Sequence, residues 1–71
     1  MYPNLKAEIA RKGLTLLKIV EELKKRGINM TVSMLSLKLN GKYPLYLNEA
    51  KALKEIVETD IPIDILFEEV N

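Results

Sequence analysis

The stretch TLLKIVEELKKRGINMTVSMLSLKLNGK, running from Thr15 to Lys42, reads as two amphipathic helices joined by a turn. Behind Thr15, whose hydroxyl suits an N-cap, Leu16, Ile19, Val20 and Leu23 recur at helical spacing, and Lys18, Glu21, Glu22 and Lys25 take the opposite side. Gly27, in Arg26-Gly27-Ile28, stops that helix or opens the turn. Ile28, Val32, Leu35 and Leu39 then recur at intervals of four, three and four, which predicts another helix, capped by Asn29 or by Thr31. Asn40-Gly41 is a C-terminal stop, and Tyr43-Pro44 keeps the helix from resuming at once. Two helices so spaced, with a short turn between them, have the grammar of a helix-turn-helix.

Outward from this unit the chain supplies three further helices. Asn4 is placed to cap a first one, with Leu5 and Ile9 on one face and Gly13 to end it. A fourth runs from about Leu47 to Glu58, with Ala50, Leu53 and Val57 inward. Asp60-Ile61-Pro62 breaks the chain, and Pro62 suits the first position of a last short helix carrying Leu66, Phe67 and Val70. Period-2 alternation never persists, so no strand is expected. The fold class is therefore all-α, a compact five-helix bundle forming one domain over residues 1–71.

Composition narrows the chemistry. A chain of 71 residues buries only about 60% of the surface its unfolded form exposes, so a small, marginal domain is expected. With no Cys and no His, the side chains most used for zinc, disulfides and nucleophile–base pairs are missing. Neither an enzyme nor a bound cofactor or metal is expected, and no small-molecule substrate. The apolar runs fall far short of the ~20 residues that span a bilayer, and Met1-Tyr2-Pro3-Asn4 has no signal-peptide core, so a cytoplasmic protein without membrane contact is expected. The formal net charge of +1 conceals two unlike halves. Residues 1–42 hold nine Lys and Arg against three Glu, a net of +6, whereas residues 43–71 hold two Lys against seven carboxylates, a net of −5. A positive front and a negative back orient a small domain toward a polyanion.

The run Leu35-Ser36-Leu37-Lys38-Leu39-Asn40-Gly41-Lys42 resembles the end of the recognition helix in the lambda-repressor and Cro class of helix-turn-helix proteins, in particular small phage and prophage regulators. Gly13-Leu14-Thr15 looks like that family's entry into helix two, and Glu49 and Asp60-Ile61-Pro62-Ile63-Asp64-Ile65-Leu66-Phe67 follow at family-like spacing. The likeness spans residues 5–70 and implies a DNA-binding transcription regulator or repressor that places helix three in the major groove of double-stranded DNA. Some positions depart from the family. Leu16 stands where the family usually has a phosphate-contacting Gln, Val20 where it has a small residue, and helix two with its turn is longer by about one helical turn.

With Leu35 and Leu39 inward, a helical wheel sets Ser33 and Leu37 opposite them and Thr31, Met34, Ser36 and Lys38 at the flanks. Thr31 and Ser33 can hydrogen-bond bases or phosphates, Met34 and Leu37 can touch a thymine methyl, and Lys38 can pair with guanine or phosphate. Four of the six have a plainer role: Thr31 as a cap, Ser36 as a small residue at a helix crossing, Met34 and Leu37 as core or protein contacts if the register slips by one. Asn40, Lys42 and Tyr43 follow the helix where phosphates would lie, although Asn40 also serves as a helix stop. Lys24-Lys25-Arg26, at the end of helix two, is the densest basic cluster and suits a solvated helix terminus, where cations complement the dipole, somewhat better than a DNA clamp. A second functional reading keeps the fold and makes Leu16, Met34 and Leu37 an apolar docking patch for another protein. A homodimer would have to use the bundle itself, around Ile63, Phe67 and Val70.

Overall fold

The computed structural model describes residues 2–69, and over these the chain is all helical. The helices are α1 (Pro3–Arg11), α2 (Leu16–Lys25), α3 (Val32–Leu39), α4 (Leu47–Val57) and α5 (Ile63–Leu66). No strand occurs among the described residues, and none of their helices is long and apolar enough to cross a membrane.

The helix ends follow from local chemistry. Thr15 Oγ1 accepts from Lys18 N at 3.1 Å, and Thr31 Oγ1 accepts from Met34 N at 3.0 Å, so α2 and α3 start on the same kind of side-chain cap. Of the two caps open to α3, the chain uses Thr31. The first three helices also end alike. After α2, Ile28 N donates to Leu23 O and Gly27 N to Lys24 O, both at 3.0 Å, and the pattern recurs in Leu14 and Gly13 after α1 and in Lys42 and Gly41 after α3. This double hydrogen bond needs a left-handed residue, and Gly27 (φ 82°) and Gly41 (φ 77°) take it without a Cβ clash. In α4 the left-handed position falls on Glu58 (φ 50°), which pays a steric cost that glycine would not.

Leu5, Ile19, Leu23, Leu35, Leu53, Val57 and Leu66 are fully buried, joined by Tyr2, Leu39 and Ala52. Of the inward positions read from the 3.6-residue period, Leu5, Ile19, Leu23, Leu35, Leu39, Ala50, Leu53, Val57 and Leu66 are buried, while Ile9, Leu16, Val20 and Phe67 are half-buried and pack against the core. Ile28 belongs to the turn after α2 and still packs against this core, whereas Val32 at the start of α3 is exposed instead of facing inward.

Two helix starts differ from expectation. Asn4 lies inside α1, which begins at Pro3 after Tyr2, and its amide donates to Ile65 O at 2.9 Å, tying α1 to α5. The reason is Tyr2, which is buried against Phe67 with ring centroids 5.7 Å apart at 73°, an edge-to-face contact that pulls the chain's start into the bundle. Pro62 occupies the N-cap of α5 (φ −56°, ψ 148°), one residue before the first helical position. Val70, expected on this last helix, lies outside the described residues.

Candidate nucleic-acid interface

Helix α3 packs against α2, buries Leu35 and Leu39 in the core and leaves Val32, Ser33, Met34 and Leu37 exposed to solvent. Val32, Met34 and Leu37 are 38%, 36% and 37% exposed, Met34 and Leu37 on the side turned from the core and Val32 on the first turn, about 140° around from Leu37. Thr31 is exposed at its N-terminus; its oxygen is engaged in the cap, and its hydroxyl proton remains free to donate. Asn40, Lys42 and Tyr43 are exposed just beyond its C-terminus.

Lys38 is not on that surface. It is 7% exposed, and its Nζ lies 2.7 Å from both Oε1 and Oε2 of Glu49 on α4, with the Tyr46 ring centroid 4.9 Å away. Glu49 Oε1 also accepts from Tyr46 N at 3.0 Å, which holds the start of α4. The ammonium is buried and its charge is matched by Glu49, so drawing it out to a guanine or a phosphate would leave a buried carboxylate unpaired. The readout role expected of Lys38 is thereby corrected to a structural one. Ser36 is half-buried and lines a groove with Lys6, Leu14, Leu16 and Asn40, between α1 and the start of α2, so it too sits to one side of the exposed face.

Two cations flank α3. Lys6, on α1, reaches across 34 positions to donate to Asn40 Oδ1 at 2.7 Å, beside the C-terminal end of α3. Lys24, on α2, lines a hollow with Val20, Asn29, Met30, Thr31 and Met34, beside the N-terminal end. Neither Lys6 nor Lys24 forms an ion pair among the described residues, and the same holds for Lys42. The rest of the basic cluster is partly neutralised: Glu22 receives Lys25 at 2.9 Å, Arg26 at 3.3 Å and Lys18 at 3.7 Å. Hydrogen bonding from Lys25 first, then from Arg26, holds the Glu22 carboxyl below the usual range.

Lys6 was legible only as one of nine cations, because its place beside Asn40 depends on how α1 crosses the bundle. Leu16, expected on a docking patch, packs against the core, while the next residue, Leu17, is 61% exposed. Among the described residues no group of three or more His, Cys, Asp or Glu is arranged to hold a metal ion.

Comparisons with protein-family models, with curated proteins and with solved structures give no match for this chain.

Proposed function

We propose that the protein binds double-stranded DNA as a small transcription regulator of phage or prophage type, with α2, the turn and α3 acting as a helix-turn-helix and α3 entering the major groove. The observation that carries this reading is the placement of Lys24 and Lys6 at opposite ends of an exposed α3, with Lys42 just beyond it. Ammonium groups outside any ion pair, spaced along a partly exposed helix, match the phosphates that flank a groove, and phosphate contacts fix register and orientation. Apart from Glu8 on α1, Glu21 and Glu22 on α2 and Glu49 on α4, the carboxylates, Glu55, Glu58, Asp60, Asp64, Glu68 and Glu69, fall late in α4 and beyond it, away in sequence from this unit.

The test is a salt titration of binding to random-sequence duplex DNA. With Lys38 withdrawn onto Glu49, about three to five phosphate contacts are expected, so log K falls with log[salt] at about −0.9 per phosphate. Absence of binding at low salt, or a weak signal indifferent to salt, would sink the reading. A second reading, docking of a partner protein, is favoured by one specific observation: Val32, Met34, Leu37, Tyr43 and Tyr46 are all exposed near one another in sequence. It predicts association that survives high salt.

Two copies binding two half-sites would belong to the same proposal. Ile63 and Phe67 are half-buried, with Phe67 packed on Tyr2, so the apolar atoms available to a second copy come mainly from Leu47 and Ile65, 64% and 46% exposed. Sedimentation showing a strict monomer at high concentration, free and on DNA, would remove the dimer from the proposal.

A further inference from the structure

The exposed face of α3 is uncharged. Ser33, Met34 and Leu37 occupy it, and the only ionisable side chain of the helix, Lys38, is folded away onto Glu49. In a major groove the choice of partner for such a face is narrow. Guanine and adenine edges select bidentate Arg, Lys, Asn or Gln, and cytosine selects an acceptor. Bare aliphatic groups pressed against those edges strip water from donors and acceptors without replacing it, which is unfavourable. The C5-methyl of thymine is the one apolar feature a base pair shows in that groove.

We infer that α3 reads thymine methyl groups, with Leu37 as the principal contact, Met34 beside it and the Ser33 hydroxyl serving a neighbouring acceptor. This deepens the duplex-DNA reading above and rests on it. At about 100° per residue Ser33 and Met34 stand about 40° and 60° around the helix from Leu37, so the three share one side, whereas Val32 stands about 140° from Leu37. Met34 borders two apolar hollows, one with Val20 and Met30 and one with Tyr43, Pro44 and Tyr46, so its flexible side chain can follow a methyl on either side.

The experiment selects bound duplexes from a random thymine-containing pool and then resynthesises the selected duplexes with uracil in place of thymine. Uracil keeps every hydrogen-bonding edge and lacks only the methyl. Loss of each contacted methyl is expected to weaken binding about fourfold, so full replacement should weaken it about tenfold or more with the salt slope unchanged. Leu37→Ala, at an exposed helical position, should bind thymine duplexes more weakly and narrow the gap between thymine and uracil. Equal binding of the thymine and uracil duplexes by the unaltered protein would overturn the inference and leave duplex binding standing. Failure to retain any duplex at low salt would overturn the duplex reading itself, and the inference with it.

Discussion

The Lys38 ammonium on α3 sits 2.7 Å from both carboxylate oxygens of Glu49 on α4, and both side chains are about nine-tenths buried. This pair joins the exposed helix to the helix behind it and, through Tyr46 N, fixes where α4 begins. Removing one partner strands the other charge in a dry site. Lys38→Ala or Glu49→Ala should therefore cost about 3–5 kcal/mol, whereas Lys38→Met combined with Glu49→Leu should cost much less. Denaturant melts of the three variants decide it: three equal losses would show that packing, and not the charge pair, is what α3 needs from these positions.

Glu8 gives the fold an acid limit. Its carboxyl accepts two hydrogen bonds from Arg11, at 2.7 and 2.9 Å, and one from the Thr59 hydroxyl, linking α1 to the segment after α4. These partners, Arg11 foremost, lower its pKa from 4.5 to about 2. A carboxyl depressed in the folded state contributes stability that is fully present above about 4.5 and is lost as pH falls toward 2. The melting temperature should drop across that window, and Glu8→Gln should have a lower melting temperature at neutral pH with a flatter acid dependence. An acid profile identical in both proteins would place the sensitivity elsewhere.

The left-handed residue closing α4 makes a prediction of the opposite sign. Glu58 holds φ 50° and ψ 51°, where a Cβ is costly, while Gly27 and Gly41 fill the comparable positions after α2 and α3. Its backbone carbonyl accepts from Lys12 Nζ at 3.3 Å, a contact that survives loss of the side chain. Glu58→Gly should therefore stabilise the protein by up to about 1 kcal/mol, and Gly27→Ala should destabilise it by a similar amount, since a Cβ there meets no atom within 4 Å and the cost is backbone strain alone. Thermal melts read both.

What could be read from the sequence was what repeats locally. Ile19, Leu23, Leu35, Leu39, Leu53 and Val57 announce themselves through a 3.6-residue period, and glycines mark three helix ends, so five helices and most of the core were legible. Lys38 was not, because a helical wheel assigns lysine to solvent and cannot know that Glu49, eleven positions on, arrives beside it. The link between Lys6 and Asn40 has the same character at longer range. Tyr2 was read as part of a plain terminus, since its burial depends on Phe67 at the other end of the chain. Residues whose role is set by their own neighbours in sequence were recovered, and those whose role is set by a distant element were not.

Core and surface residues of α3 should separate cleanly by mutation. Leu35 is wholly buried and Leu39 nearly so, and truncating either to Ala should cost about 2–5 kcal/mol, enough to threaten folding in a domain of this size. Ser33→Ala, at an exposed position, should leave stability within about ±0.5 kcal/mol while weakening DNA binding. Melts of the three variants check the first part and binding curves the second. A destabilising Ser33→Ala with intact binding would mean that the exposed face of α3 is not the one that meets DNA.

The flanking cations make the most direct test of how the protein would sit on a duplex. Lys24 and Lys42 are exposed and Lys6 is half-exposed, so replacing each by Ala should change stability little. If each meets one phosphate, each replacement should weaken binding to all sequences alike and lower the salt slope by about one. Lys38→Ala should differ in kind, lowering affinity only as far as it lowers the folded fraction, with the slope unchanged for the protein that remains folded. Lys6 carries a further expectation through Asn40. If Asn40 serves to aim the ammonium, Asn40→Ala should weaken binding while keeping the full slope, because the charge is still present but no longer held beside α3. A slope unaltered in Lys6→Ala, Lys24→Ala and Lys42→Ala together would remove these residues from the interface and leave α3 without the phosphate contacts that the proposed docking requires.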